Sequence, residues 1–211
     1  MEWLRVSASA PEPAVLARAA GILRAGGLVV FPTDTLYGLA ADPRHAVGVG
    51  RVFEVKGRPA GQALPLVAAD LEQAQGEVAR LSADALRLAR RFWPGPLTLV
   101  ADARPGLAPG VAGEDGTVAI RVPDHDVARG LAAALGFAVV STSANPSGGA
   151  PTRDAGTAAA LLEGLVDAVL DAGPTRGGLP STIIDARVQP LRVVRPGAVP
   201  IELIFDAMSR P

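Results

Sequence analysis

The sequence predicts an α/β fold in which helices flank a twisted sheet of parallel and antiparallel strands. Segments with apolar residues at helical spacing alternate with short apolar runs, which are typical of buried strands. Several of these runs follow one another with no helix between them, which a purely parallel, doubly wound sheet does not allow. Hydrophobic residues make up 49% of the 211-residue chain, which is enough for a sizeable core.

The helices are predicted from caps and periodicity. The first is expected to have its cap at Ser9 and Pro11 in its first turn, and to end at Gly26 and Gly27. Further helices are predicted at residues 46–53, 82–92, 157–162 and 201–205, with one more that Asp124 caps and Gly136 closes. Strands are predicted at residues 28–31, 64–67, 97–101, 117–122, 138–142, 166–170, 182–185 and 191–194.

One domain over residues 1–211 is the simplest organisation, because no internal repeat or low-complexity linker divides the chain. Residues 104–116 and 145–151 are rich in Gly and Pro and are predicted to be long loops, which are often functional in compact domains. The sequence contains no signal-peptide pattern and no apolar run of membrane-spanning length. We therefore expect a soluble cytoplasmic protein without membrane contact.

Composition excludes several classes of function. The chain has no cysteine, so thiol nucleophiles, disulfides and zinc–cysteine sites are ruled out. The two histidines, His45 and His125, lie far apart and in no ligand motif, so we predict no protein-built metal site. The net charge of -1 indicates no general affinity for nucleic acid, although a local basic patch stays open.

Residues 32–39, P-T-D-T-L-Y-G-L, follow a predicted buried strand. Ligands of open α/β sheets tend to bind where strands end, and this segment places hydroxyls, a carboxylate and a phenol there. The alternative is a plain turn in which Asp34 and Thr35 cap the next element. Taken alone, the segment favours the turn.

Residues 56–59, K-G-R-P, contain Lys56, the only lysine of the chain. Lysine offers a compact charge and Arg58 a planar fork, and together they suit a polyphosphate. The alternative is a solvated loop with one chance lysine. The segment does not decide between the two.

Two further segments carry polar groups on predicted strands. Ser141 and Ser143 are two residues apart at a strand end and point the same way, so the run to residue 149 could cradle phosphate oxygens. A serine-rich turn is the alternative. Thr117 and Arg121 share one face of another strand, where an arginine either pairs with an acid or meets an anionic ligand. Structural pairing is the more frequent case.

Motifs of other nucleotide enzymes and hydrolases are missing. The sequence has no G-x-x-x-x-G-K-[ST], no G-x-G-x-x-G after a strand and no G-x-S-x-G. Phosphate binding must then use scattered basic and hydroxyl groups.

Taken together, the ordered segments are more specific than any one of them. The order P-T-D-T-x-Y-G-L, K-x-R-P, F-W-P-G-P-L-T, R-x-P, S-x-S-A-N-x-S-G, S-T-I-I-D and R-x-G resembles the YrdC family. These segments lie at residues 32–39, 56–59, 92–98, 121–123, 141–148, 181–185 and 195–197. The resemblance spans nearly the whole chain and implies a twisted mixed sheet with helices around a large central cavity.

The resemblance implies an L-threonylcarbamoyladenylate synthase. Such an enzyme condenses L-threonine, bicarbonate or CO2, and ATP to threonylcarbamoyl-AMP and pyrophosphate, and a separate tRNA threonylcarbamoyl-transferase complex uses the product. By the family pattern, Lys56 and Arg58 hold the ATP phosphates and act in catalysis. The other residues assigned to ATP are Thr117, Ser143, Asn145 and Arg195. Those assigned to threonine are Thr35, Arg121, Ser141 and Ser181, with Arg121 on the carboxylate.

The implied chemistry suits these residues. A threonine carbamate is already anionic and can attack the α-phosphorus without a strong protein base. The site must supply alignment and charge stabilisation, which Lys56, Arg58 and a Mg²⁺ on the ATP phosphates could provide. The chain departs from many relatives at Ala68, where they carry a histidine.

Two alternatives stay open at this stage. One is a carbamoyl-adenylate enzyme of hydrogenase maturation, although those proteins carry additional cysteine-rich modules that this chain lacks. The other is a double-stranded RNA-binding module of RNA maturation. A weak RNA contact is compatible with the near-neutral charge, whereas strong RNA affinity is not favoured.

Overall fold

The computed structural model describes residues 1–57 and 63–209. The strands within these residues are β1 (Glu2–Arg5), β2 (Val29–Pro32), β3 (Tyr37–Ala41), β4 (Leu66–Val67), β5 (Leu97–Asp102), β6 (Thr117–Arg121), β7 (Val139–Ser143), β8 (Ala168–Asp171), β9 (Thr182–Asp185) and β10 (Arg192–Arg195). The helices are α1 (Pro13–Arg24), α2 (Ala46–Lys56), α3 (Leu71–Glu77), α4 (Ala83–Phe92), α5 (Asp126–Leu135), α6 (Ala155–Leu161) and α7 (Ile201–Ser209).

The ten strands form one mixed sheet in the order β1-β8-β2-β3-β7-β4-β6-β5-β9-β10. The parallel pairs are β1–β8, β8–β2, β4–β6 and β5–β9, and the other neighbours are antiparallel. The predicted fold class, a mixed sheet flanked by helices, is therefore confirmed. Along the described ranges, no helix has the length and apolar character needed to cross a bilayer.

Two predicted helix starts are wrong. Helix α1 begins at Pro13, with Glu12 as its extended N-cap, and not at a cap on Ser9. A proline disfavours the helical conformation of the residue before it, so Pro13 keeps Glu12 extended and itself takes the first helical position. Helix α5 is preceded by His125, while Asp124 bonds to Arg176 instead of capping the helix.

The elements that the sequence analysis missed are short. Strand β1 and helix α3 were not predicted, and β3 was predicted only as part of a turn. A four- or five-residue strand carries too little periodicity to be distinguished from a loop. Strand β1 also shows an almost fully exposed pattern, because it lies at the sheet edge beside β8.

The strand register divides the core between two faces of the sheet. One face carries Val30, Leu39, Leu66, Ile120 and Val140, which pack with residues of α2, α4 and α6. On the other face, α1 and α5 cover the strands from β8 to β7. The apolar side chains beneath these two helices include Val29, Phe31, Ala40, Val139, Ala168 and Leu170. The helices leave the rest of this second face to the cavity described next.

Candidate active site

A cavity of about 490 Å³ opens on the second face of the sheet, beyond the part that α1 and α5 cover. This volume lies within the range typical of small-molecule sites. Its wall draws on strands β3, β4, β5, β6, β7, β9 and β10, on the loops before β3, β4 and β9, and on the loop after β7. The polar residues of the wall include Thr33, Thr35, Thr98, Arg121, Ser141, Ser143, Ser181 and Arg195.

Strand alternation brings the polar residues of β6 and β7 to this wall. Ser141 and Ser143 share a face with Val139, and Arg121 shares it through the register Val139↔Val67↔Arg121. Val140 and Thr142, which alternate with them, lie on the opposite face of the strand. The predicted common face of Ser141 and Ser143 is therefore present in the structure.

Gly38 lies directly across from Ser143 in the β3–β7 ladder. A Cβ at this position would lie 2.9 Å from the Phe31 ring and 3.3 Å from Ser141 Oγ. The glycine thus allows Phe31 and Ser141 to approach each other. A larger residue here would push into the cavity floor, which Gly38 itself lines.

The segment at residues 32–39 is a hairpin between β2 and β3, with its turn at residues 33–36. Thr33 organises the turn: its Oγ1 accepts hydrogen bonds from the backbone N–H groups of Thr35 and Leu36 and donates to the Leu36 carbonyl. The segment forms a turn, but Thr33 holds it and not Asp34 or Thr35 as the turn interpretation had it. Thr33 and Thr35 also line the cavity, so the site interpretation stays a prediction.

Arg121 and Asp34 form a buried ion pair beside the cavity. Arg121 Nη1 donates to Asp34 Oδ1 at 2.9 Å, and the side chains are 11% and 5% exposed. Arg121 lines the cavity, whereas Asp34 lies behind that lining. The second carboxylate oxygen, Asp34 Oδ2, is buried without a hydrogen-bond partner among the described residues. A buried acceptor left in this state costs about 1–3 kcal/mol.

A second guanidinium, that of Arg195, enters the wall from β10. It donates to the Ser181 carbonyl at 2.7 Å and to Ser181 Oγ at 3.2 Å, and Ser181 Oγ lies 2.8 Å from Thr98 Oγ1. Burial lowers the pKa of Arg195, and the charge of Arg121 lowers it further. The cavity therefore places two arginines within electrostatic reach of each other, which favours an anionic ligand.

Lys56 ends helix α2 and is almost fully buried beneath the end of β7. Its Nζ donates to the Ser143 carbonyl at 2.7 Å, to Ser143 Oγ at 3.1 Å and to the Asn145 carbonyl. Lys56 does not itself line the described cavity, but it contacts Ser143, which lines it. The solvated-loop alternative for Lys56 is excluded by this burial.

Two other predicted site residues, Asn145 and Thr117, do not line the cavity. Asn145 Nδ2 donates to the carbonyls of Pro146 and Gly149 at 2.7 Å each, and its Oδ1 is buried and accepts no hydrogen bond from any described residue. Thr117 begins β6 and donates to Asp115 Oδ1 at 2.7 Å, outside the lining. Arg58 lies outside the described residues.

Sequence reasoning missed Thr98 and underestimated Asp34. Thr98 closes the F-W-P-G-P-L-T segment and bonds to Ser181. Asp34 was considered as the carboxylate of a strand-end site and as a turn residue, but no partner was predicted for it; its partner is Arg121, 87 positions away. Two features of the sequence indicated this pair. One is the carboxylate next to Thr35, which is a predicted threonine-binding residue. The other is Arg121, a strand arginine that either pairs with an acid or meets an anionic ligand.

His125 lies near the Asp34 carboxylate, at the start of α5. Burial lowers the pKa of His125, and the negative charge of Asp34 partly opposes that shift. Across residues 1–57 and 63–209, no group of three or more His, Asp or Glu side chains is placed to hold a metal ion.

The fold and the cavity define a class of protein: a mixed-sheet α/β protein with a polar, doubly cationic cavity for a small anionic ligand. A model of the Sua5/YciO/YrdC family, described as "Telomere recombination", matches residues 21–197. The chain therefore belongs to the Sua5/YciO/YrdC family, as the order of its motifs predicted.

Similar proteins agree with this membership. The chain is 40% identical over 186 residues to the threonylcarbamoyl-AMP synthase of Pyrococcus abyssi, which covers 88% of this chain and 55% of that protein. It is 40% identical over 179 residues to the synthase of Halorhodospira halophila, covering 83% and 92%. Its fold matches P. abyssi Sua5 complexed with L-threonine at a TM-score of 0.93 and 36% identity, over 99% of this chain and 61% of that one. The chain thus spans little more than half of the P. abyssi protein and most of the H. halophila one.

Proposed function

We propose that this protein is an L-threonylcarbamoyladenylate synthase, a nucleotidyltransferase that makes threonylcarbamoyl-AMP from L-threonine, bicarbonate or CO2, and ATP. The observation that carries the proposal is the 40% identity to a threonylcarbamoyl-AMP synthase of which this chain covers 92%. The cavity supports it, because two guanidinium groups and several hydroxyls converge on a space of small-molecule size.

The amino acid is assigned to the part of the cavity around Arg121. A guanidinium matches a carboxylate in geometry and charge, so Arg121 is the proposed partner of the threonine carboxylate. Thr35, Ser141 and Ser181 line the same cavity and supply hydroxyls for the amine and side-chain hydroxyl of threonine. The L-threonine bound to P. abyssi Sua5 supports this choice of substrate.

The ATP is assigned to the end of β7 and its surroundings. Lys56, Ser143 and Asn145 form one hydrogen-bonded cluster there, and Arg195 adds charge from β10. Arg58 and Thr117 complete the proposed set, with Lys56 and Arg58 in the catalytic role. Mg²⁺ would arrive on the ATP phosphates and neutralise part of their charge.

In the proposed reaction, the neutral amine of threonine first adds to CO2 and releases one proton to solvent, which gives the carbamate. The adenylation step that follows forms one P–O bond and breaks another. A carbamate oxygen of N-carboxythreonine attacks the α-phosphorus, and the bond between that phosphorus and the bridging oxygen of the β-phosphate breaks. Pyrophosphate leaves with the electron pair, and no side chain has to remove a proton. The protein's part is to align the two anions and to offset their negative charge with Lys56, Arg58 and Arg195.

The product is a mixed anhydride, which water would hydrolyse. We propose that a tRNA threonylcarbamoyl-transferase complex consumes it in the cytoplasm. The test of the function is pyrophosphate release from ATP and bicarbonate, measured with and without L-threonine. Threonine-dependent release is expected, and a well-folded protein that releases none contradicts the proposal.

A further inference from the structure

Asp34 is a buried carboxylate behind the lining of the cavity, and the proposed chemistry does not use it. It lies in the turn between β2 and β3, and its hydrogen-bond partner within residues 1–57 and 63–209 is Arg121, at the end of β6. Strands β3, β7 and β4 lie between β2 and β6 in the sheet. The ion pair therefore joins two walls of the cavity that the backbone ladder does not join directly.

The two arginines of the cavity are held by different contacts. Both guanidinium groups line the same cavity, and burial together with the charge of Arg121 lowers the pKa of Arg195. Arg195 is held by Ser181 through three hydrogen bonds to its carbonyl and hydroxyl. On the Arg121 side, the corresponding contact within the part of the chain that the structure describes is one hydrogen bond, to Asp34 Oδ1.

A guanidinium has five N–H donors in a rigid plane, and Asp34 engages one nitrogen, Nη1. Asp34 therefore holds the guanidinium of Arg121 from behind, while Arg121 itself lines the cavity. A carboxylate is bound best by two parallel N–H groups, so the orientation of the plane decides how well the ligand fits.

We propose that Asp34 is a positioning residue, which holds Arg121 in the orientation that receives the substrate carboxylate. The inference rests on the proposed function in one respect, because it takes L-threonine as that substrate. Asp34 itself stays behind the lining and touches neither substrate. Without that charge, the guanidinium of Arg121 turns away from Arg195, and its N–H groups no longer align with the substrate carboxylate.

The substitution D34N tests this role, because it keeps the size of the side chain and removes its charge. We expect the KM for L-threonine to rise by about tenfold or more while the KM for ATP changes less than about twofold. The matched control is D124N, in which the exposed aspartate of the Asp124–Arg176 pair loses its charge in the same way. D124N should keep both KM values.

A double-mutant cycle with R121Q separates positioning from a general structural effect. If Asp34 acts through Arg121, adding D34N to R121Q raises the KM for threonine no further. An unchanged threonine KM in D34N, equal losses for threonine and ATP, or additive losses in the double variant would each overturn the proposal.

A second readout does not depend on turnover. In ¹⁵N NMR spectra, the guanidinium of Arg121, assigned by its disappearance in R121Q, should show slow rotation in the wild-type protein. Faster rotation in D34N, but not in D124N, supports the positioning role even if the wild-type protein releases no pyrophosphate with threonine. Unchanged rotation in D34N refutes that role independently of the function.

Discussion

The second face of the sheet has two halves that share strands but differ in what covers them. Under α1 and α5 the side chains are apolar, as Val139 is in β7. Two and four residues further along the same strand, Ser141 and Ser143 face the cavity. A strand of five residues thus passes from a packed core into a ligand site without changing face.

The two halves of this face differ in the groups that pack or bond with their side chains. The covered half has the helix side chains of α1 and α5, so burial of apolar surface stabilises it. The open half buries charged and hydroxyl groups that bond to one another, as in the Asp34–Arg121 pair and the Ser181–Thr98 contact. Such ion pairs and hydrogen bonds contribute little to the net free energy of folding. We therefore expect substitutions in the open half to reduce activity more than they reduce stability.

The largest effect is expected for Lys56→Ala, at the edge of the open half. Removing the ammonium takes a positive charge from the proposed phosphate site and should reduce pyrophosphate release by about 100-fold or more. The carbonyls of Ser143 and Asn145 lose a donor, so stability should fall by about 1–3 kcal/mol while the fold is kept. Circular dichroism and the turnover assay measure the two effects. Arg176→Ala, which removes an exposed cation, is the control; full activity or an unfolded chain in Lys56→Ala would contradict the prediction.

A smaller effect is expected when the open half is made to resemble the covered half by Ser141→Val. The substitution replaces a hydroxyl of the wall with two methyl groups, so threonine turnover should fall by about 10- to 100-fold. The melting temperature should stay level or rise, because no buried bond of the core is lost. A variant that turns over threonine normally would show that Ser141 is not part of the threonine subsite.

The converse change, Val139→Ser, should act on stability alone. It removes apolar atoms from beneath α1 and α5 and buries a hydroxyl, which should cost about 3 kcal/mol. For a chain of this length, that corresponds to a melting temperature about 10 °C lower. Turnover per folded molecule should match the wild type. A loss of turnover larger than the loss of folded protein would mean that the two halves are coupled.

The smallest effect concerns Tyr37, which ties β3 to the loop after β8. Its hydroxyl donates to the Gly173 carbonyl and accepts from Ala172 N–H, and burial raises its pKa to about 12 from an ordinary value of 10.0. The unfolded chain therefore ionises first, so stability is unchanged below pH 10 and declines as the pH rises from 10 to about 12.

Because Tyr37 is the only tyrosine of the chain, the absorbance of tyrosinate reports its titration directly. The folded protein should titrate near pH 12 and the urea-unfolded chain near 10. The decline in stability should also be weaker in Tyr37→Phe. A folded-state titration near 10 would show that the phenol is accessible to water.

Much of the fold could be predicted because its signals are local. Most strands lie within two residues of their predicted bounds, and Gly136 closes α5 in a left-handed conformation at φ 91° as predicted. The helix starts at Ser9 and Asp124 were wrong because several residues could cap, and Pro13 and the Arg176 contact decided between them. Strand β1 could not be seen, because pairing with β8 more than 160 residues away creates it.

The candidate site, like the fold, could be predicted only where the signals are local. Sequence patterns placed Ser141 with Ser143, and Thr117 with Arg121, on common strand faces. They also singled out Lys56 as unusual. They gave no indication that Lys56 is buried against the carbonyls of Ser143 and Asn145, or that Thr117 bonds to Asp115 away from the lining.

By itself, the sequence determined the fold class, the family and the set of polar segments that the proposed site uses, because alternation, capping and motif order are properties of neighbouring residues. Only the tertiary structure decided which of these groups meet. Strand order and register brought Asp34 to Arg121 and Ser181 to Arg195, and the positions of α1 and α5 decided which half of the sheet face stays open. The physical reason is that contacts between distant segments depend on how the elements pack, and no local pattern encodes that packing.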